Sequence, residues 1–375
     1  MSGRLFLISD WNSMAVDGAH LAVNPADLSD CKVVSGTFDD PAEGRCLLRI
    51  DSYAMTANNI TYGRASGQLG YWEFFPFEGD YGRIPVWGFA DVIATAHPEV
   101  EVGTRLYGFL PQSTHLEIVP GKVSPHGLVD MAEARQGKAP IYNQYAICSG
   151  DPLYRPEHEA MISLFRPLYT TSFLLDDFFR SKGFFGAEAV ALTSASSKTA
   201  LGMAHALKAG GTGDVTVVGL TSPANVDFVE GLGVYDRVVT YDALESIDAA
   251  SLAYVDMAGN GDVRRALHQR YGDALKHACL VGGTHWTGRD RDVKDLPGPK
   301  PEFFFAPSYA QARIAEWGGG GFQKKLGTAW AGFLGDAAGW IEVVDKRGVE
   351  AAEAVYLETL WGEVAPSVGN ITGMG

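Results

Sequence analysis

The sequence predicts an α/β protein in which a compact β-rich unit precedes a doubly wound parallel sheet. Three observations carry this expectation. Residues 189–223 read as strand, tight turn, helix and strand, which is one βαβ unit. Apolar runs alternate with helical segments from there to about residue 307, and the first 120 residues hold short strands separated by Gly and Pro turns.

Taken in order, residues 4–8 and 45–50 read as strands, with Gly, Pro and Asp turn signals between them. Residues 52–77 follow as a loop in which Asn58, Asn59, Tyr62, Arg64 and Tyr71 stand among turn formers, and Trp72, Phe74, Phe75 and Phe77 crowd after Gly70. Polar groups beside large rings suit either a pocket wall or a loop pinned by buried aromatics. Residues 84–120 give three short strands, with Val102–Arg105 as the turn before the strand 106–110, and a polar connection runs from Gly121 to about Pro156. Residues 158–185 have helical spacing of Leu164, Leu168, Phe173, Phe178 and Phe179, which Pro167 is expected to break.

The central unit begins with the strand AVALTSASS (189–197) and the helix 198–211, which Gly210 and Gly211 end. The strand 214–223, a helix over 224–233, strands at 237–242 and 251–259, a helix over 262–275 and a strand at 278–286 complete the alternation. EFFFAP (302–307) adds a sixth, edge strand whose three phenylalanines call for a covering partner, so a homodimer through this edge is expected. A last amphipathic helix spans 349–362.

Composition narrows the function. At 375 residues, 46% hydrophobic and 20% charged, the chain has the profile of a globular protein of two domains. Its formal net charge of −15 argues against a nucleic-acid backbone or an anionic membrane as partner. Cys31, Cys46, Cys148 and Cys279 are isolated, so neither a disulfide framework nor a cysteine-rich zinc site is expected. The apolar run before Asp10 is too short for a signal-peptide core or a membrane span, which points to the cytoplasm. No G-x-S-x-G precedes a helix, against a hydrolase.

A βα turn aims a helix N-terminus at anions. Here it offers Ser194, Ser196, Ser197, Lys198 and Thr199, with no glycine until Gly202. Hydroxyls and backbone N–H groups bind a diphosphate, although every Cβ takes room from close approach; the same residues also suit a turn that only joins strand to helix. S-S-K-T echoes the end of a Walker loop, but Leu192 and Ser197 stand where that loop needs glycine. The second strand ends Gly219, Leu220, Thr221, Ser222, Pro223, with hydroxyls and no carboxylate, which favours NADPH over NADH. Gly282, Gly283, Thr284 and His285, at the end of the fifth strand, are expected to line the nicotinamide half, though a His beside Trp286 also suits a strand cap.

The order of these motifs resembles the zinc-independent medium-chain dehydrogenase/reductases of the quinone and enoyl reductase type, over nearly the whole chain. Asn58 with Ser66 and Gly67 keeps the spacing of the family's Asn-containing loop, with Thr61 where an Asp is common; VEVGTRLYGF (100–109) is similar to its "VGDRV" segment. RPLYTTSFLLDDFF (166–179) is similar to the helix leading into its nucleotide domain, and APSYAQAR (306–313) to the segment after its sixth strand. Two departures stand out. Gly88, Phe89 and Ala90 replace the Gly-His-Glu of the zinc branch, and Ser194, Ser197 and Ala200 replace the glycines of the nucleotide turn.

The resemblance implies a GroES-like catalytic domain over 1–150 and 311–375 and a Rossmann domain over 151–310. It implies NADPH-dependent reduction of an activated double bond or carbonyl (an enone, enoyl thioester or quinone) without zinc. The small substrate is expected to be apolar or aromatic. Asn58, Tyr62 and Tyr71 are the candidates for polarising its oxygen and delivering a proton. The alternative is a protein that keeps the fold without hydride transfer, a lyase or a scaffold subunit.

Overall fold

The computed structural model describes residues 15–64, 70–281 and 295–375. The strand expected over 4–8 therefore lies outside the described residues, as do Ser66 and Gly67. In chain order the strands are β1 (Val16–Asn24), β2 (Asp27–Phe38), β3 (Cys46–Met55), β4 (Pro85–Thr95), β5 (Arg105–Pro111), β6 (His115–Ile118), β7 (Pro120–Ser124), β8 (Gly127–Asp130) and β9 (Gln144–Ile147). Then follow β10 (Ala189–Thr193), β11 (Thr216–Thr221), β12 (Arg237–Thr240), β13 (Leu252–Asp256), β14 (Leu275–Leu280), β15 (Glu302–Phe303), β16 (Glu342–Arg347) and β17 (Val368–Gly373).

Strands β10 to β15 form a six-stranded parallel sheet in the order β12-β11-β10-β13-β14-β15, the doubly wound 3-2-1-4-5-6 arrangement. Every residue of β10 is buried, which is why the run AVALT is continuously apolar. A nine-stranded sheet joins β3 to β9 with the returning strands β16 and β17, while β1 and β2 form a separate hairpin laid against it by bridges at His20 and Val23. Gly88, in β4, lets that strand pass close to β3: a Cβ there would lie 2.0 Å from the Ser52 carbonyl oxygen.

The helix Glu159–Ser181 runs unbroken through Pro167, contrary to the expected break. Its buried face includes Leu164, Phe165, Leu174, Leu175 and Phe179. Burial worth about 1.5–3 kcal/mol for each such side chain outweighs the roughly 3 kcal/mol that an internal proline costs. Arg105 ties the start of this helix to the nine-stranded sheet, pairing with Glu159 at 2.6 Å, Asp51 at 2.7 Å and Asp91 at 3.0 Å.

Other boundaries differ from expectation for local reasons. The helix over 262–275 stops at Tyr271 because Gly272 turns left-handed (φ 48°), and the following strand begins earlier than expected, at Leu275. The helix over 224–233 shortens to Val226–Gly231 after a 3₁₀ turn at Pro223–Asn225. Helices Ala306–Trp317 and Gly319–Ala337 pack on Glu159–Ser181. Among the described residues no helix is long and apolar enough to cross a membrane.

His20 sits under the hairpin between the Phe38 and Phe77 rings, bonded to Ser113 and 3.3 Å from an Arg83 nitrogen. Burial, then the charge of Arg83 and of His115, pulls its pKa from 6.5 to about 4. The folded state thus favours neutral His20, so its contribution is present above pH 6.5 and lost as pH falls through about 4. Denaturation midpoints measured from pH 7 to 4 are expected to decline less steeply in His20→Gln than in the parent.

Candidate active site

The turn after β10 is held by its own chain. Ser194 adopts φ 50°, the left-handed conformation glycine normally supplies. Its N–H donates to the Tyr241 hydroxyl (2.7 Å), the Ala195 N–H donates to the Leu220 carbonyl (3.0 Å), and the Tyr235 hydroxyl donates to the Ala195 carbonyl (2.9 Å). Ser197 caps the helix Lys198–Gly210 by accepting from the Ala200 N–H, and Asn225 donates to the Ser196 hydroxyl at 3.2 Å. The N–H groups of Lys198 and Thr199 head the helix, where no carbonyl within it can take them.

Gly219 lets β11 pass under this turn: a Cβ there would meet the Tyr235 ring at 2.9 Å and Ala195 Cβ at 3.1 Å. Thr221 is buried and Ser222 half-buried at the end of the same strand. The structure thus brings Ser194, Ser196, Ser197, Lys198, Thr199, Gly219, Thr221 and Ser222 to one sheet edge. Gly282, Gly283, Thr284 and His285 lie outside the described residues.

At the switch point between β10 and β13 lies a buried network absent from the sequence reading. Thr193 donates to the Asp256 carboxylate at 3.1 Å and accepts the Met257 and Ala258 N–H groups at 2.9 and 3.1 Å. Asp256 also accepts from the Gly259 N–H (2.8 Å) and from Arg264 (3.0 Å). The signal for it was an Asp closing an apolar strand, eight residues before an Arg.

Lys198 turns its amine toward the other sheet, 3.4 Å from the Val368 carbonyl and 6.0 Å from the Phe165 ring centre. Burial lowers its pKa to about 8. A small recess is lined by Thr56, Asn58, Trp87, Ser163, Leu164 and Pro167, the last three on the helix that carries Phe165. Asn58 lies at this recess and hydrogen-bonds to Tyr62, whose hydroxyl also accepts from the Trp87 indole at 3.2 Å. Asn59 is a structural neighbour, its amide shared between Thr56 and the Pro85 carbonyl.

Tyr62 and Tyr71 stand behind the recess, buried in a ring cluster with Phe74, Trp87 and Phe109. The Tyr71 hydroxyl is bonded to that of Tyr142 at 2.9 Å. Burial raises the pKa of both phenols, so they stay protonated. The aromatic stretch is therefore core: Phe74 and Phe75 are 3% and 2% exposed. Among the described residues no group of three or more His, Cys, Asp or Glu could hold a metal ion.

A family model described as "Protein of unknown function (DUF2855)" matches residues 53–365. The chain belongs to the DUF2855 family. No curated protein matches it. Among solved structures, CurA from Vibrio vulnificus in complex with NADPH is 14% identical with TM-score 0.58, over 96% of this chain and 99% of that one. A putative NADPH:quinone reductase from Mesorhizobium loti is 12% identical with TM-score 0.55, over 95% and 98%. The CurF ER cyclopropanase from the curacin A biosynthetic pathway is 11% identical with TM-score 0.58, over 96% and 99%. At these identities the likeness is one of fold.

In this DUF2855 chain the glycine-free turn owes its shape to Tyr235 and Tyr241. Tyr241→Phe leaves the Ser194 N–H without its acceptor and is expected to cost about 1–3 kcal/mol. Ser194→Val is expected to cost about 1–2 kcal/mol, while Ser194→Gly is tolerated, because a branched side chain resists positive φ. Urea unfolding of the three variants checks both.

Proposed function

We propose that this protein is a zinc-independent, NADPH-dependent reductase of an activated double bond or carbonyl, in an enone, enoyl thioester or quinone. One observation supports this above the rest: the doubly wound order sets the turn 194–197 and the helix starting at Lys198 beside the switch point, where ligands of such sheets bind. The donors suit a dinucleotide. Helix-end N–H groups and the hydroxyls of Ser196, Ser197 and Thr199 are chemically matched to a diphosphate, and Thr221 and Ser222 present no carboxylate to a 2′-phosphate. CurA was solved with NADPH, and an Etr1p mutant of the same fold with NADP and crotonyl-CoA.

The dihydronicotinamide, when bound, supplies the hydride. In this reading Asn58 orients the substrate oxygen at the recess, its side chain held by Tyr62, whose hydroxyl also accepts from the Trp87 indole. Tyr71, bonded to Tyr142, backs this wall, and Gly282, Gly283, Thr284 and His285 are assigned to the nicotinamide side. Residues 1–150 with 311–375 form the catalytic domain and 151–310 the Rossmann domain in this reading. It works in the cytoplasm on a small apolar or aromatic substrate. Exposed Phe305, beside the edge strand β15, supports a homodimer through 302–307.

A second reading draws on the Tyr241 hydroxyl. It already occupies the Ser194 N–H, as suits a turn that has given up the cofactor in a lyase or scaffold protein. Titration with NADPH and NADH, followed by nucleotide fluorescence, separates the two. The reductase is expected to bind NADPH more tightly, and Ser222→Asp to weaken NADPH by about tenfold or more relative to NADH through repulsion of the 2′-phosphate. No binding of either nucleotide overturns the reductase reading.

A further inference from the structure

Lys198 is out of place by ordinary stability rules. At the first helical position its charge opposes the positive end of the helix dipole, and withdrawing an ammonium from water without a counter-charge is costly. Among the described residues its amine meets one acceptor, the Val368 carbonyl at 3.4 Å, and the Phe165 face, with no carboxylate at ion-pair distance. An ammonium carries three donors, so this single long contact leaves two to spend.

Both neighbours lead to the recess that holds Asn58. Phe165 follows Leu164 in its wall. Val368 precedes Gly369, where a Cβ would lie 2.5 Å from a Leu164 methyl, and Asn370 in the same strand pairs with Met55, between Ala54 and Thr56 of the opposite wall. The amine thus lies against β17 and the helix Glu159–Ser181, the two elements that adjoin the recess, whereas Asn225 donates to Ser196 elsewhere on the turn.

We propose that Lys198 is a catalytic residue that receives the substrate's carbonyl oxygen and gives it a proton. The proposal rests on the reductase reading. A bound dihydronicotinamide would supply the hydride for the new C–H bond at the β-carbon or carbonyl carbon and be oxidised, and the displaced π pair would move onto oxygen. The Lys198 N–H bond then breaks as the O–H bond forms, and water reprotonates the neutral amine; an enol produced this way tautomerises to the saturated carbonyl. A buried amine with pKa about 8 is suited to acid catalysis near neutral pH. The substrate class is a neutral or anionic conjugated carbonyl compound, since a cation beside Lys198 is repelled.

The test uses the full chain, with Lys198→Met and Lys198→Arg checked by thermal melts. NADPH binding is measured by fluorescence, and binding of 4-nitrophenol to the NADP⁺-loaded protein by phenolate absorbance, as an oxyanion probe independent of turnover. Wild-type protein that binds no nicotinamide nucleotide removes the reductase reading and this assignment together. If Lys198→Met weakens NADPH by about tenfold or more, the lysine serves the phosphates, and this assignment alone falls. The expected result is NADPH affinity within about threefold of wild type, phenolate bound about tenfold more weakly by the Met variant and retained by the Arg variant. Enal and enone turnover is expected to fall about 100-fold in Lys198→Met, and the wild-type loss of rate above about pH 8 to vanish in Lys198→Arg. No phenolate binding by wild type, or equal binding by the Met variant, overturns the proposal.

Discussion

The helix Glu159–Ser181, packed between the two sheets, is the constraint on which the rest depends. It touches β3, β4 and β17 on one side and the helix Lys198–Gly210 on the other. Gly202 makes the second contact possible, since a Cβ there would lie 2.7 Å from Ser172 Oγ and 3.1 Å from the Tyr169 ring. Ser172 in turn donates to the Thr199 carbonyl at 2.7 Å, tying the first turn of the helix Lys198–Gly210 to the helix Glu159–Ser181. Leu164 and Pro167 wall the recess and Phe165 faces Lys198, so one buried surface sets the spacing of the N-terminal end of the helix Lys198–Gly210 and the recess.

The turn at 194–197 obtains by packing what glycine supplies by conformational freedom. Left-handed backbone costs a serine about 1–2 kcal/mol, a cost comparable with one satisfied buried hydrogen bond. The turn has three such bonds to groups from other parts of the sheet, at Leu220, Tyr235 and Tyr241. Two of these come from tyrosines flanking β12, at the edge of the sheet, so the shape of the anion-facing turn depends on an element that a fingerprint search never inspects.

The parallel sheet was legible because burial on both faces leaves its strands as uninterrupted apolar runs, as in AVALT and TVVGLT. The hairpin of β1 and β2 was not, since β2 has no fully buried residue and its alternation reads as turn-rich polar sequence. The helix Gly319–Ala337 opens on three glycines, which propensity places in a loop; Phe322, Trp330 and Phe333 hold it by docking onto its neighbours. At the site, the hydroxyl-rich turn could be read from local sequence. Thr193, Asp256 and Arg264 could not, because their meeting depends on β10 and β13 becoming neighbours across the switch point.

Ring packing also decides what the tyrosines can do. A phenol whose hydroxyl is buried and hydrogen-bonded resists losing its proton, because the phenolate would pay the desolvation cost that raises the pKa of Tyr62 and Tyr71. Such groups orient a neighbour better than they exchange protons with solvent. In the proposed reductase Tyr62 therefore acts on Asn58 by holding its amide, and proton transfer falls to a group with room to change charge. Lys198 has that room: its ammonium is desolvated enough for the neutral amine to be accessible near neutral pH, and among the described residues no carboxylate compensates it. In the proposed reductase the work thus divides on electrostatic grounds, with fixed polarity from Asn58 and Tyr62 and titratable charge from Lys198.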